Sequence, residues 1–580
     1  MTVKVEIEGN EYRPLYLSLQ QSMASHHNFE IVMHGQAFLE DNSVGSLSNV
    51  KDLIGKMVKI QISPPEEESE SLFFQGPVTQ LSFSREFGSA TQYVLSGSSA
   101  TILLEDGLHS RSFSELSIQS IALQVLEPYR LSHKVNAKRD ISPTFYVQYQ
   151  ESNFRFLARI ADHFGEWLYY DGRGLIFGKL QDEGEIELKV GALSDYSFSM
   201  SLAPANLSYV NYDYLSNIVY RGTTADAHPG SLDTYGQHAL EVSSDFYSQE
   251  TVLSEREEAR SQKELDEMLS RIAGSLAANM VALNGASNNP GLRLGTVIKI
   301  KENDGKEVGS FIITKISHMA EGIGQYRNTF FAIPKPIQVP PLDTILGRQY
   351  PKPTPQSATV KENNDPEGLG RVRVQFHWQK EGEMTPWIRV LNPQGASSGF
   401  YFVPEVGDEV MVGFEFDNPN RPYVQGGVYH GKAKPQYATD NNAIKAITTK
   451  GGNRILLVDG DEGEIRILNR DKKNEIRLSL AEDGQVLLKS EGKISLEARE
   501  IEMKAETIVL NADKGLDLKS GQDAKLEGQN VDLEAQQSAA LKGLDVNVEA
   551  GNSGKVKAAS QLSIDGGAVT EVKGGVIKLN

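Results

Sequence analysis

The chain of 580 residues contains no cysteine. Disulfides, cysteine-ligated zinc or iron–sulfur sites and a thiol nucleophile are therefore excluded. No apolar run approaches the roughly 18 residues that span a bilayer. The N-terminus alternates apolar with charged residues and lacks the apolar core of a signal peptide. We therefore expect a protein that is made in the cytoplasm, does not insert stably into membranes and, if secreted, leaves by a route that reads no signal peptide.

Positive charge is scarce relative to negative charge. The 58 basic and 77 acidic side chains give a formal net charge of −19. This balance disfavours nucleic acids and anionic membrane surfaces as partners, because binding to phosphate depends largely on basic side chains. The length predicts three or four domains at roughly 150 residues each.

Aromatic residues, proline and histidine are absent from the last quarter of the chain. Residues 438–580 contain none of them, whereas the preceding residues hold all 46 aromatic residues and all 23 prolines. The last proline is Pro435 and the last aromatic residue is Tyr437. This change in composition predicts that two different kinds of structure share the chain.

The aromatic-free tail is repetitive. Pairs of apolar residues separated by one residue recur nine times, with steps of seven or eight residues and a mean step of 7.5. A spacing of two is the strand period, so both members of a pair lie on one face. Very short strands at a fixed period indicate a β-solenoid. The pairs begin at Val486, Ile494, Ile501, Ile508, Leu516, Ala524, Val531, Ala539 and Val546.

Two arrangements would bury these pairs. One chain could coil as a monomeric parallel β-helix, or three chains could intertwine as a three-sided prism with a narrow interior. The tail has no aromatic residue to fill a wide lumen, and several pair positions are Ala or Val, so we favour the trimer. The predicted needle interior comprises Leu488, Ile494, Leu496, Ile501, Ile508, Leu510, Leu516, Leu518, Leu526, Val531, Leu533, Val546 and Val548.

The rest of the chain is predicted to be mainly β with some helix. Ser152 and Gly165 are suited to cap a helix between them, and residues 262–280 form a second amphipathic pattern. We expect a hub of β-barrel-type domains at 1–335, a proline-rich linker at 336–355, a small barrel of the OB type at 356–435 and the needle at 436–580. Strands of the small barrel are predicted at 371–378, 387–391 and 409–416.

Three short patterns could suggest chemistry, but each has a simpler interpretation. Residues 395–399 match G-x-S-x-G, yet a strand pattern follows where a nucleophile elbow needs a helix. Residues 459–464 resemble the start of a calcium loop, but the later ligand positions are wrong, which predicts a turn. His26, His27 and His34 lack partners at metal-ligand spacing. We therefore predict no catalytic, cofactor-binding or metal-binding residues, although chance pairs of carboxylates leave glycosidic chemistry open.

The small barrel raises the possibility of oligonucleotide binding, because OB folds can stack bases on aromatic side chains. Phe376, His377 and Trp378 are the candidates for stacking. The acidic balance opposes this function. We expect these residues to serve the barrel core and the packing between domains.

A hub, a small barrel and an aromatic-free needle together resemble the VgrG family, the spike proteins of type VI secretion systems, related to the hub and spike of contractile phage tails. The sequence Tyr-Gln-Glu-Ser-Asn-Phe-Arg-Phe-Leu-Ala-Arg-Ile at 149–160 is similar to the family's hub helix. The sequence Asn-Asp-Pro-Glu-Gly-Leu-Gly-Arg-Val-Arg-Val-Gln-Phe-His-Trp at 364–378 is similar to the opening of its OB domain. Residues 387–390, 404–410 and 418–422 continue the resemblance in order.

The resemblance implies a mechanical homotrimer and no enzymatic activity. It implies a tube ring of the Hcp type at the base, baseplate proteins around the hub, and effectors or their adaptors as cargo. The stretch between barrel and needle is too short for the lysozyme domain of the phage spike. No effector domain is expected after the needle, and a separate PAAR-type protein would cap its end. The resemblance places that tip contact at Val572, Val576, Ile577 and Leu579.

Three alternatives remain open. The same spike could serve an extracellular contractile injection particle. A monomeric β-helix could be a carbohydrate-active enzyme with a sugar-binding groove. An OB-fold nucleic-acid binder would bind oligonucleotides in a salt-sensitive way.

Overall fold

The computed structural model describes residues 1–38, 47–64, 71–84, 91–139, 141–181, 184–189, 193–227, 232–254, 259–301, 304–322, 324–341, 350–395 and 398–579. The chain divides into two compact units, Met1–Glu491 and Gly492–Asn580. The predicted domain boundaries stay a prediction.

The first unit begins with a hub that is mainly β, as predicted. Its helices are α1 Ile118–Leu126, α2 Asn153–Phe164, α3 Thr234–Phe246 and α4 Gln262–Met280. Its strands are β1 Thr2–Ile7, β2 Asn10–Tyr12, β3 Tyr16–Ser22, β4 Asn28–His34, β5 Met57–Ser63, β6 Leu72–Ser84, β7 Gln92–Ser98, β8 His109–Ser114, β9 His133–Asn136, β10 Phe145–Glu151, β11 Trp167–Tyr170, β12 Leu175–Gly178, β13 Glu185–Lys189, β14 Leu193–Met200, β15 Leu207–Asp213, β16 Ile218–Thr223, β17 Thr251–Ser254, β18 Val281–Ser287, β19 Val297–Lys301, β20 Glu307–Glu321 and β21 Gln325–Pro334.

A 13-stranded sheet dominates the hub. Its main path runs β14-β18-β21-β20-β3-β4-β7-β6-β5-β1-β2, and β19 joins it to β13. The antiparallel pairing of β3 with β20 brings the two ends of the hub sequence together, with Ser22 opposite Lys315 and Tyr16 opposite Glu321. Smaller sheets have the orders β10-β8, β11-β12-β9 and β16-β15-β17.

Both helices that the sequence predicts are present. The ends of the first are set by capping residues next to them in the sequence. The Ser152 side chain accepts a hydrogen bond from the Arg155 N–H, and Gly165 ends α2 in the left-handed conformation with φ of 70°. The second predicted helix is α4, whose buried face includes Leu265 and Leu269. Among the described residues, no helix combines the length and the apolar character that crossing a membrane requires.

The small domain after the hub has a buried core of six valines together with Ala358, Phe376 and Ile388. Its strands are β22 Gln356–Glu362, β23 Arg373–Phe376, β24 Glu409–Phe414 and β25 Pro422–Gly427, in the order β23-β22-β24-β25. The strand predicted at 387–391 is wrong in extent. It forms only isolated bridges, from Ile388 to Val372 and from Val390 to Val424. The strands predicted at 371–378 and 409–416 are present but shorter.

A five-stranded antiparallel sheet follows the small domain. Its strands are β26 Ile444–Thr448, β27 Arg454–Val458, β28 Glu464–Leu468, β29 Asn474–Ser479 and β30 Gln485–Ser490, paired in chain order. These strands have five or six residues each and pair within one chain. They therefore differ from the two-residue strands predicted for the later tail.

The second unit is a regular series of bends. Within its described residues the chain forms no strand ladder of its own. It bends every seven or eight residues, at 499, 506, 513–514, 521–522, 529, 536–537, 544–545, 551–552, 559–560, 567–568 and 575. Each predicted apolar pair from Ile494 to Val548 lies between two successive bends, so the structural period matches the sequence period.

Part of the predicted linker is packed on the hub. Ile337 is buried with only 2% of its surface exposed. The backbone carbonyl of Gln338 accepts a hydrogen bond of 2.6 Å from Lys138 Nζ, and that of Pro340 accepts one of 2.9 Å from Ser275 Oγ. Residues 342–349 of the linker lie outside the described part of the chain. The described start of the segment, 336–341, is therefore packed on the hub rather than free, and we call it the strap.

Candidate subunit interface

One face of the five-stranded sheet is apolar and exposed. Directly paired residues form two rows across the strands, and their exposed fractions run from 38% to 71%. Rows of Ile, Leu and Val side chains at cross-strand distance are the arrangement that normally faces a protein core. The first row is Ile447, Ile455, Ile467, Ile476 and Leu488, and the second is Leu457, Ile465, Leu478 and Val486.

The opposite face of this sheet carries a network of charges. Arg466 pairs with Glu464, and its Nε lies 4.0 Å from a carboxylate oxygen of Glu475. Arg477 reaches Glu464 at 3.8 Å. Charged pairs at such distances tolerate contact with water, whereas exposing the apolar rows of the other face to water is unfavourable. In the single chain these charged side chains are only 18–37% exposed, so the apolar rows are the more exposed of the two faces.

Sequence reasoning missed most of these rows, although a signal was present. Three of the strands start ten residues apart, at 454, 464 and 474, and the second and third of them, β28 and β29, alternate apolar with charged side chains. That alternation predicts half-buried strands longer than a two-residue repeat unit.

All thirteen predicted needle-interior residues are exposed in the single chain. Their exposed fractions range from 49% for Val531 to 87% for Leu533. Leu488 lies in β30 of the first unit, and the other twelve lie in the second unit. Their inward orientation in an assembly stays a prediction.

The four predicted tip residues are also exposed, between 51% and 91%. Ile577 and Leu579 follow the bend at 575 as Val531 and Leu533 follow the bend at 529. Val572 likewise follows the turn at 567–568 as Leu526 follows the bend at 521–522, so three of the four tip residues continue the repeat and only Val576 does not. Tip contact itself stays a prediction.

The buried charges of the small domain have a structural role. The Asp365 carboxylate accepts hydrogen bonds from the backbone N–H groups of Glu367, Leu369 and Arg371, and Arg371 Nε and Nη2 donate to it at 3.0 and 2.8 Å. The guanidinium holds the pKa of Asp365 well below its usual range. Both side chains are at most 5% exposed. The pair therefore closes a rigid loop at 365–371.

Trp378 joins the small domain to the hub. Its ring stacks on Phe376, with centroids 5.3 Å apart, and packs against a hub cluster that includes Phe145 and Val147. Beside it, Gln379 Nε2 donates to Ser112 Oγ at 2.7 Å. The predicted role in core and interdomain packing is confirmed for both stacked rings.

His377, the third stacking candidate, has a different environment. It is exposed, and its Nε2 lies 3.1 Å from Ser357 Oγ. With Phe376 buried and Trp378 committed to the hub, the three residues do not form a platform for bases.

The structure describes only part of the motifs that were set aside in the sequence. Residues 396 and 397 of the G-x-S-x-G match lie outside the described residues. The calcium-like stretch at 459–464 connects β27 to β28 as a turn, as predicted. Across the described ranges, no group of three or more His, Asp or Glu side chains is placed to hold a metal ion.

The N-terminal histidines have separate structural partners. His26 Nδ1 lies 2.8 Å from Thr101 Oγ1, and its Nε2 lies 3.3 Å from Glu105. His34 Nδ1 accepts a hydrogen bond from the Gln36 N–H at 3.2 Å. The contact between His26 and Glu105 joins distant parts of the chain, so local spacing could not predict it.

His27 belongs to a buried polar chain at the seam of β3 and β20. Gln21 Nε2 donates to His27 Nδ1, and Gln21 Oε1 accepts from His318 Nε2, both at 3.1 Å. His318 Nδ1 accepts from the Tyr326 hydroxyl at 2.7 Å, which in turn accepts from Asn328. Burial lowers the pKa of each histidine to about 3. Both imidazoles are therefore neutral in the folded hub.

Comparison with known proteins agrees with this architecture. Residues 39–323 match the phage tail baseplate hub family (GPD), and residues 356–429 match the type VI secretion system/phage-baseplate injector OB domain. A solved Francisella PdpA–VgrG complex shares the fold with a TM-score of 0.56 over 84% of this chain and 88% of that one, at 8% identity.

Curated relatives point the same way. The actin cross-linking toxin VgrG1 of Vibrio cholerae is 24% identical over 58% of this chain and 33% of its own length. The spike protein VgrG5 of Pseudomonas aeruginosa is 24% identical over 66% of this chain and 53% of its own. The chain thus spans between a third and about half of these two relatives. Together with the hub and OB matches, these similarities show that the chain belongs to the VgrG family of type VI secretion spike proteins.

Proposed function

We propose that the protein is the structural spike of a contractile injection machine of the type VI secretion kind. Three copies form a homotrimer whose tails build a puncturing needle. The base sits on a ring of tube protein of the Hcp type, baseplate proteins surround the hub, and a PAAR-type protein caps the C-terminal end. The spike delivers effectors, directly or through adaptors, and is secreted with the tube rather than through a signal peptide.

The exposed apolar face of β26–β30 carries this proposal. Nine Ile, Leu and Val side chains lie in two unbroken rows, backed by a charged face. Burying each of them is worth roughly 1.5–3 kcal/mol. Three such faces turned toward a common axis would bury one another. In the second unit, three copies of the repeat would bury their apolar pairs in the same manner.

The proposed role is mechanical rather than catalytic. Of the residues that resemble catalytic or metal-binding motifs, 459–463 form a turn and His26 contacts Thr101, whereas Ser397 lies outside the described residues. The function would then depend on the stiffness and threefold symmetry of the spike and on the surfaces at its two ends. The toxin activity in the name of the Vibrio relative belongs to that protein.

The test is the solution mass of the full chain by light scattering on a sizing column. We expect three times the mass of one chain, which is 63.9 kDa. A double substitution of the directly paired Leu478→Asp and Val486→Asp places charges on the apolar face and should reduce the mass to that of a single chain. Both side chains are exposed in the single chain, so the fold of each copy should survive.

The matched control changes the neighbouring pair, Ser479→Asp and Gln485→Asp, which is also directly opposed but lies on the charged face. This variant should remain a trimer. A wild-type chain that elutes with the mass of a monomer contradicts the proposal and favours the monomeric β-helix.

A further inference from the structure

A polar cleft of about 610 Å³ lies on one face of the large hub sheet. Its floor is formed by five strands that are neighbours in that sheet, β14, β18, β21, β20 and β3. One row of directly paired residues crosses all five strands, a width of roughly 19 Å. The row consists of Ser197, Asn284, Phe331, Lys315 and Ser22. The volume lies in the range of clefts that bind small molecules, so the cleft is a candidate ligand site.

The floor of the cleft is fixed by the hub core beneath it. Ile316 and Phe330, which alternate with floor residues along β20 and β21, are only 3% and 4% exposed. A second row of paired residues beside the first includes Thr329, Ser317 and Gln20. The side chains of these three residues form no hydrogen bond with any described residue. Their donors and acceptors are therefore open to a ligand, on a floor that needs little ordering to bind it.

The cleft also holds two cations without a carboxylate partner. Neither Lys315 nor Arg327 forms a salt bridge with any described residue, and Asp195 is the one acidic side chain among the described lining residues. Lys315 Nζ lies 5.8 Å from the centroid of the Phe331 ring. In a chain of net charge −19, the cleft thus presents positive charge beside an aromatic ring. A ligand that matches both groups carries a carboxylate next to an apolar ring face.

Other classes of ligand match the cleft less well. Hydroxyl and amide groups dominate its lining, whereas a largely apolar ligand needs mainly apolar walls. Four of the five floor strands are paired along both edges, so a peptide cannot join the floor there as an added strand. No helix N-terminus, where phosphate groups commonly bind, lines the described part of the cleft. A ligand rich in hydroxyl groups fits best, because each hydroxyl both donates and accepts hydrogen bonds.

We propose that this cleft binds an acidic saccharide, a short chain of sugar rings that carry carboxylates. One carboxylate binds Lys315, and the face of its sugar ring packs on Phe331. The hydroxyl groups of the saccharide bond to the side chains of Asn284, Ser317 and Thr329. All of these residues belong to one chain, so the inference stands apart from the trimer proposed above.

The test titrates tetragalacturonate and its uncharged methyl ester into the full chain by isothermal calorimetry. We expect one site per chain with a Kd near or below about 1 mM for the acid. The ester should bind about tenfold more weakly, because the charge-assisted hydrogen bond to Lys315 is lost. Lys315→Gln should lower the affinity for the acid by the same factor. Lys263→Gln, an exposed change on α4, controls for the loss of one positive charge and should have no effect.

A second pair of variants tests the location. Thr329→Trp fills the cleft and should abolish binding, whereas Ser199→Trp, also exposed but outside the cleft, should bind as the wild type does.

Several results would overturn the inference. They are no binding of either sugar at millimolar concentration, equal affinity for acid and ester, or equal losses in the two tryptophan variants. Tighter binding of tetraglutamate would assign the cleft to an acidic peptide and overturn the saccharide. Light scattering on the same samples reports the trimer separately, so a monomer that binds the acid keeps this inference and refutes the proposed trimer.

Discussion

Acid should weaken the hub through the buried chain that links His27 to His318. Both histidines are fully buried and neutral, and their pKa values are lowered to about 3 because burial penalises the charged ring. In the unfolded chain the ordinary value of about 6.5 applies. Below pH 6.5 the unfolded state therefore binds more protons than the folded state. The stability is fully present above pH 6.5 and is lost progressively as the pH falls toward 3.

The size of the effect follows from the two pKa values. Between pH 7 and pH 5 each histidine costs about 2 kcal/mol of unfolding free energy, so the pair costs about 4 kcal/mol. His318→Gln removes one titrating ring but leaves a side chain that can donate to Gln21. In this variant the loss over the same pH range should be about 2 kcal/mol smaller than in the wild type, because only His27 of the pair still titrates. The variant's lower stability at pH 7 does not affect this difference.

The assay is urea unfolding of the full chain at pH 7 and pH 5, followed by tryptophan fluorescence. His377→Gln, at an exposed position, controls for the change in histidine number. An equal pH dependence in His318→Gln and wild type would refute the reasoning, because it would mean that the ring takes up protons without unfolding the hub.

Three further predictions concern the needle, the small domain and the junction. Leu518→Asp with Leu533→Asp should reduce the trimer fraction and the thermal midpoint, measured by light scattering and circular dichroism, because charges would enter the predicted interior. Asp365→Asn should cost about 3 kcal/mol in urea unfolding, because it leaves the buried guanidinium of Arg371 with only the exposed Glu367 carboxylate, at 3.3 Å, as a charge partner. Trp378→Ala should cost about 2 kcal/mol by the same measurement, and His377→Ala next to it should cost less than about 0.5 kcal/mol.

Each of these predictions has a contrary result. Lys519→Ser with Glu534→Ser changes the residues next to the two needle leucines, and an effect equal to that of the leucine variant would contradict the inward assignment. Full stability of Asp365→Asn would show that the loop does not depend on its carboxylate. Equal costs at Trp378 and His377 would argue against the interdomain stack.

Sequence reasoning succeeded where the signal is local or periodic. Ser152 and Gly165 mark the ends of α2 because capping involves only neighbouring residues. The bends of the second unit follow the period of the apolar pairs because each pair and each turn fits within seven or eight residues. The family resemblance rested on such short stretches.

The rest depends on contacts between distant parts of the chain. The strap is buried because Lys138 and Ser275, far apart in sequence, hold its carbonyl groups. Gln21 joins two histidines only because β3 pairs with β20. The interface rows of β26–β30 lie side by side only through strand register, although their alternation is visible in the sequence.

The bends of the second unit also bear on how such a chain can change over evolutionary time. Residues 516–530 and 531–545 read as two tandem copies of one pattern, each made of an eight-residue and a seven-residue step. Duplication or loss of one such copy keeps every later pair in phase with its bend. A lineage could therefore lengthen or shorten the tail in whole modules, while selection acts separately on the hub.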